Sequence, residues 1–141
     1  MAFDQVTNHH QLSNNLLIAM DANGGVDFAI LNSFEELQSD DGSDLIVELI
    51  DLYLQDAPAR LAQIREATNN ADWTMLKRAA HNLKGSSGNL GIGRVAEICG
   101  QLEQTTDQDS ETRIGGLVVL LASAADRARQ LLAAERQRRL K

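Results

Sequence analysis

From Ile114 onward the apolar residues recur at helical spacing: Ile114, Leu117/Val118, Leu121, Ala124/Ala125, Ala128 and Leu131/Leu132. This stripe runs for roughly five turns of one predicted helix, Glu111 to Arg138, and a stripe of that length must be covered along its whole extent. The rest of the chain therefore has to supply other helices to lie against it. Three stretches do. Asp44 to Thr68 offers Leu45, Leu49, Leu52/Tyr53, Leu61, Ile64 and Ala67. Trp73 to Asn89, capped by Asp72, offers Leu76, Ala80, Leu83 and Ser87, with Leu90 beyond. Ile92 to Gln104 offers Val95, Ile98/Cys99 and Leu102. Short breaks separate them, the polar Asn69 to Asp72, the glycine-bearing exit at Leu90-Gly91 and Gly93, and the polar Thr105 to Ser110, with Asp109 or Ser110 capping the last helix. A single proline, 4% aromatic residues and no alternating β-type segment leave no competitor to an all-α class.

Four long amphipathic helices on short turns predict an antiparallel up-down four-helix bundle, with a short extra N-terminal helix. That short helix runs from Phe28 to Gln38, with Asp27 as N-cap and Phe28, Leu31, Phe34 and Leu37 on its apolar stripe. Pro58 interrupts the Asp44 helix. It predicts either a kink or two abutting helices near Asp56–Pro58, with Asp56 able to cap the second. The bundle is assigned to residues 26–138. Residues 1–25 form an N-terminal extension rich in Asn, Gln and His, closed by the breaker Asn23-Gly24-Gly25. Within it, Leu12 and Leu16–Met20 suit a short amphipathic helix starting near Ser13 or Asn14. His9-His10 reads as polar-tail chemistry, because adjacent histidines do not share a helix face and no ligand partner sits at metal-binding spacing.

Several function classes fall away at this stage. The longest apolar runs, Leu16–Met20 and Leu117–Ala122, are far short of the roughly 20 residues that cross a bilayer. The N-terminus lacks a basic segment followed by an apolar one, so no secretory signal is expected. The lone Cys99 lies on an apolar stripe and reads as core, and one cysteine fits a cytoplasmic protein without disulfides. A net charge of −7 argues against nucleic acid as partner. That charge is uneven. The segment from Trp73 to Ala96 holds Lys77, Arg78, Lys84 and Arg94 and no acid, while 13 of the 20 acidic residues precede Trp73. The six basic residues from Arg127 to Lys141 suit the negative end of a helix dipole as a solvated terminus.

His81 stands inside that cationic island. It lies roughly 140–160° around the helix from Leu76 and Leu83, so it is on the open side. Its neighbours at helical spacing are Lys77, Arg78, Lys84, Gly85 and Gly88. Each interior glycine costs about 1 kcal/mol of helix stability relative to alanine. Two on the histidine's face imply that another surface comes close. Imidazoles as a class are largely neutral at cell pH and are competent nucleophiles. The direct reading is a nucleophile that accepts an anionic group from a macromolecular partner.

The run His81-Asn82-Leu83-Lys84-Gly85-Ser86-Ser87-Gly88-Asn89-Leu90-Gly91 closely resembles the signature of histidine-containing phosphotransfer (HPt) domains, H-x-L-K-G-[SA]-[SA]-x-x-[LI]-G. The similarity extends from about Asp27 to Leu132, through Leu52–Pro58, Asp72-Trp73, Arg94, Cys99 and Leu102-Glu103. The resemblance implies that His81 is the phosphoacceptor, that Lys84 steadies the phosphoryl group and that Gly85 gives a receiver domain clearance. It implies too that Glu103 holds the other ring nitrogen. The reaction implied is reversible phosphoryl transfer between a receiver-domain aspartate and His81. Partners would be response-regulator receiver domains or a hybrid histidine kinase. No cofactor is expected in this chain, Mg²⁺ being supplied by the receiver. A docking patch is expected at Gly85, Gly88, Lys77 and Arg78 and on the short first helix at Phe28, Ile30 and Leu31. The family's carriers are commonly monomeric, and the Met1 start and small size favour a free-standing carrier. A self-phosphorylating kinase is disfavoured because no P-loop pattern is present and Gly91-Ile92-Gly93 is too weak to stand for one. A di-iron bundle is disfavoured because Arg78 occupies the position three before His81. The alternative is a non-catalytic helical scaffold that keeps the HPt bundle, against which intact His81, Lys84 and Gly85 count.

Overall fold

The computed structural model describes residues 24–37, 44–105 and 108–140. Its elements are α1 (Phe28–Asn32), a 3-10 turn (Ser33–Leu37), α2 (Leu45–Asn69), α3 (Trp73–Asn89), α4 (Gly93–Glu103) and α5 (Glu111–Arg139). The readings for Leu12, Leu16–Met20 and His9-His10 lie outside the described residues.

Three of the four long helices are started by the side chain their sequence supplies, while α4 follows Ile92 with no side-chain cap. Asp44 accepts from the amides of Ile46 and Val47, Asp72 from Met75 and Ser110 from Arg113. Around the bundle α2 packs on α3, α3 on α4, α4 on α5, and α5 back on α2. The alternation of direction is fixed by what meets at the two ends. At one end the start of α2 meets the end of α5, Asp44 lying 3.6 Å from Arg139. At the other, Thr68 and Asn69 of α2, Trp73 of α3 and Glu111 of α5 line one depression. Between them runs one continuous core, including Ile46, Ile50, Ile64, Leu76, Leu83, Ile98, Leu102, Ile114, Leu121 and Leu132, all fully buried. The all-helical four-helix architecture is the one the stripes predict.

α1 lies across the α3–α4 turn. The Asp27 amide donates to the Gly91 carbonyl at 2.7 Å, and Gly91 has φ +80°. A side chain at Gly91 would also collide with the Asp27 carbonyl at 2.6 Å, so both the backbone shape and the close approach demand glycine there.

Four local expectations need correction. The first helix ends at Asn32 and tightens into a 3-10 turn, and Leu37 is exposed rather than on the apolar stripe. α2 is a single helix through Pro58, so of the two readings there the abutting helices fall, and Asp56 pairs with Arg60 at 3.5 Å instead of capping a second helix. The first half of α2 turns Ile46, Ile50 and Tyr53 inward and leaves Leu52 exposed. The register beginning Leu45, Leu49, Leu52 runs into Asp56, whereas Ile46, Ile50, Tyr53 leads on to Ala57, Leu61 and Ile64. Finally, the basic end of α5 is not simply solvated. The Arg139 side chain is 8% exposed and contacts Glu35, Asp44 and Glu135.

Candidate functional site

His81 sits midway along α3, its side chain 65% exposed. Buried Leu76, Ala80 and Leu83 fix the opposite face of the helix in the core, so the imidazole is carried outward by rigid structure. Its Nδ1 lies 2.6 Å from Oε1 of Glu103, the last residue of α4. Oε2 of the same carboxylate accepts from Nζ of Lys84. The Lys84 stem runs beside Gly100, one turn before Glu103 on α4, its Cδ lying 3.7 Å from where a Cβ would stand, an ordinary contact distance. A carboxylate at the C-terminus of a helix opposes the dipole. Two donors from the neighbouring helix hold this one in place.

Those donors also set its protonation. The Lys84 hydrogen bond, and next the His81 hydrogen bond, hold the Glu103 carboxyl below the usual carboxylate range, against the smaller opposing effect of partial burial. Glu103 is therefore ionised at neutral pH and can only accept. The ring hydrogen of a neutral His81 accordingly resides on Nδ1, which leaves the lone pair on Nε2. Lys84 has further N–H donors beyond the one given to Glu103.

Gly85 and Gly88 follow His81 on the open face. A Cβ added to either meets nothing within 4 Å, so the bundle interior has no need of glycine there. Arg78 is exposed, Lys77 is half-buried, and neither pairs with a carboxylate among the described residues. The glycine face leads to α1 across the turn, where Ile30 would lie 3.0 Å from a Cβ at Gly91 and is 42% exposed. Phe28 is half-buried. Leu31, expected on the docking patch, is fully buried in the core and is removed from it. A five-residue helix pinned at Gly91 has room to bury one face only, and Leu31 takes it.

Sequence reasoning missed that Lys84 and His81 share one carboxylate, because no spacing rule links residues on different helices. It also missed the buried hydrogen bond of 2.9 Å between the Tyr53 hydroxyl on α2 and Ser87 Oγ on α3. Ser87 on an otherwise apolar stripe was the available signal, since a buried hydroxyl needs a partner. Among the described residues no three His, Cys, Asp or Glu side chains gather as metal ligands. No described helix is long and apolar enough to cross a membrane.

Residues 48–138 match the Hpt domain family. The sensor protein TorS of Escherichia coli (strain K12) is 33% identical over 93 residues, 66% of this chain but 10% of the sensor. Histidine-containing phosphotransfer protein 2 of Arabidopsis thaliana is 29% identical over 68 residues, 46% of this chain and 44% of that protein. The chain thus spans less than half the length of either relative. The crystal structure of histidine-containing phosphotransfer protein B from Pseudomonas aeruginosa PAO1 superposes with a TM-score of 0.69 at 29% identity, over 81% of this chain and 96% of that one. The helical order, the outward His81 and the match over most of the chain lead to one statement of kinship: the chain belongs to the Hpt domain family.

Proposed function

We propose that this protein is a phosphorelay intermediate. It accepts a phosphoryl group on Nε2 of His81 from the aspartyl phosphate of a receiver domain and passes it to another receiver. The single observation that carries the reading is the division of labour on the ring, with Nδ1 engaged by Glu103 at 2.6 Å while the ring itself stands 65% exposed. The Nε2 lone pair attacks phosphorus, the P–Nε2 bond forms and the bond from phosphorus to the aspartyl oxygen breaks. The aspartate leaves as carboxylate. The Nδ1 hydrogen stays, and the positive charge that the ring gains is met by Glu103. In the reverse direction the ring leaves as neutral imidazole, a better leaving group than its anion. Lys84 steadies the phosphoryl oxygens, since phosphoryl transfer depends mainly on position and charge.

Docking takes place over Gly85 and Gly88, with Lys77 and Arg78 facing the acidic receiver site and with Phe28 and Ile30 as its apolar end. The receiver brings Mg²⁺, and this chain carries no cofactor. It acts as a monomeric cytoplasmic carrier that receives its phosphoryl group rather than making it from ATP. The test is incubation with a phosphorylated receiver domain. Acid-labile, alkali-stable label is expected on the wild type and none on His81→Gln. Label on the glutamine variant refutes the proposal.

A further inference from the structure

A groove of about 260 Å³ runs along the outer seam between α2 and α5. None of its lining residues comes from α3 or α4, so it is separate from the site at His81. Leu54, Ala57, Pro58 and Leu61 wall it on the α2 side, and Ala122 and Ala125 on the α5 side. The three alanines keep the seam open, each of them half-buried where a larger side chain would fill the space. Charge on the rim is uneven. α2 and α5 run antiparallel, so Arg65, late in α2, and Arg129, late in α5, stand at opposite ends of the groove. Arg129 is already committed, its Nη2 donating to Asp126 Oδ1 at 2.7 Å. Arg65 is exposed and has no hydrogen-bond or carboxylate partner among the described residues. It follows Leu61 by four residues and Pro58 by seven, which keeps it on the same helix face as the apolar wall.

We infer that the α2–α5 groove binds a medium-chain carboxylate, with the alkyl chain along Leu54–Leu61 and the head on Arg65. The apolar walls select an alkyl body. One uncommitted guanidinium at one end selects a single anionic head, which it can hold by charge-assisted hydrogen bonds. The Asp126–Arg129 pair at the other end offers nothing to a second charge. Leu54 to Leu61 is a rise of about 10 Å, with Arg65 about 6 Å further on. The volume lies just under the range of about 300–1,000 Å³ usual for drug-sized ligands, which suits one unbranched chain. Tyr53 lines the groove from the core side, and its hydroxyl meets Ser87 of α3 at 2.9 Å. Occupancy is therefore felt at the helix that carries His81.

The test titrates the full chain with decanoate, below its micelle concentration, and follows the ring resonances of Tyr53, the sole tyrosine. A saturable one-to-one shift is expected, with the Ser87 amide moving on the same isotherm. Ala125→Leu fills the groove and is expected to abolish the shift. Arg65→Gln is expected to weaken binding about fivefold, the ceiling for an exposed charge pair. Decanol should bind the wild type and Arg65→Gln alike. A response that does not saturate, binding that survives Ala125→Leu, or decanol binding the wild type as tightly as decanoate overturns the inference. Tyr53 resonances that move with protein concentration alone would give the groove to a second copy and overturn it as well. No receiver enters these measurements, so their outcome is independent of the proposed function.

Discussion

Two clusters of charge bind elements together in this bundle, and they leave their bonds in opposite conditions. At the base, Arg139 Nη2 donates to Asn32 at 2.7 Å and to Glu35 at 2.9 Å, and Nε donates to Glu135 at 2.9 Å. Asp44 stands 3.6 Å from Nη1. Burial alone would lower the Arg139 pKa, but Glu35, Asp44 and Glu135 outweigh it and hold the pKa up. Four residues from three elements and a helix cap thus surround that guanidinium. On the face of α3, Glu103 accepts from His81 and Lys84, and there the bonding stops. The His81 side chain is 65% exposed, and Gly85 and Gly88 leave open space on the same face. A saturated cluster fixes geometry, whereas an unsaturated one on a cleared face has capacity left for an incoming anion.

The largest effect expected from this contrast is kinetic. Gly85→Phe fills the cleared space without touching the core, since nothing lies within 4 Å of the new Cβ. Displacing a docked partner by an ångström or more costs on the order of 100-fold in rate. Transfer from a phosphorylated receiver should slow by about that factor while circular dichroism and the unfolding midpoint hold steady. Unchanged transfer would show that receivers approach from elsewhere.

Arg139→Ala should do the reverse. Removing one partner of a buried ion pair costs about 3–5 kcal/mol. Glu35 is 53% exposed and can rehydrate, so about 2 kcal/mol is the expected loss in denaturant unfolding. Phosphotransfer by the folded fraction should stay within twofold. A transfer defect as large as that of Gly85→Phe would mean that the base of the bundle also shapes the site, and the two clusters would no longer be separable.

How far the sequence led follows the same division. Periodicity within one helix placed α3 from Trp73 to Asn89, its cap Asp72 and its buried residues, because those depend on neighbours three and four apart. The outward His81 and the glycines came from the same geometry. What periodicity does not carry is the meeting of different helices. Glu103 was reached only through family resemblance, and its second bond to Lys84 was not foreseen. Arg139 read as a solvated end because its partners Glu35 and Asp44 are remote in sequence. In α2 two overlapping apolar stripes competed, and the continuation past Asp56 decided between them.

The smallest effect concerns a contact of a third kind, neutral and fully enclosed. Tyr53 is 5% and Ser87 0% exposed, and their hydroxyls bond across the α2–α3 seam on the core side of the histidine helix. Ser87→Ala strands the tyrosine hydroxyl in the core, at a cost of about 1–3 kcal/mol. Tyr53→Phe leaves a serine hydroxyl that can turn back to a helix carbonyl, so about 1 kcal/mol is expected. The double variant should lose less than the sum, because with both hydroxyls gone neither is stranded. The pH dependence gives an independent reading. Burial, against the smaller opposing effect of the Ser87 hydrogen bond, pushes the Tyr53 hydroxyl up to about 12. The unfolded chain releases that proton near pH 10 and the folded one holds it until about 12. The folded state thus binds more protons in this window. Its stability is full below pH 10 and falls as the pH rises toward 12. Burial likewise pushes the Cys99 thiol up to about 12, and its part of the loss begins lower, near pH 9. In urea titrations Tyr53→Phe should therefore keep the decline that starts near pH 9 and lose part of the steeper decline above pH 10. An alkaline profile identical to wild type would mean that water reaches the α2–α3 seam, and that this contact belongs with the open face of His81 rather than with the closed cluster at Arg139.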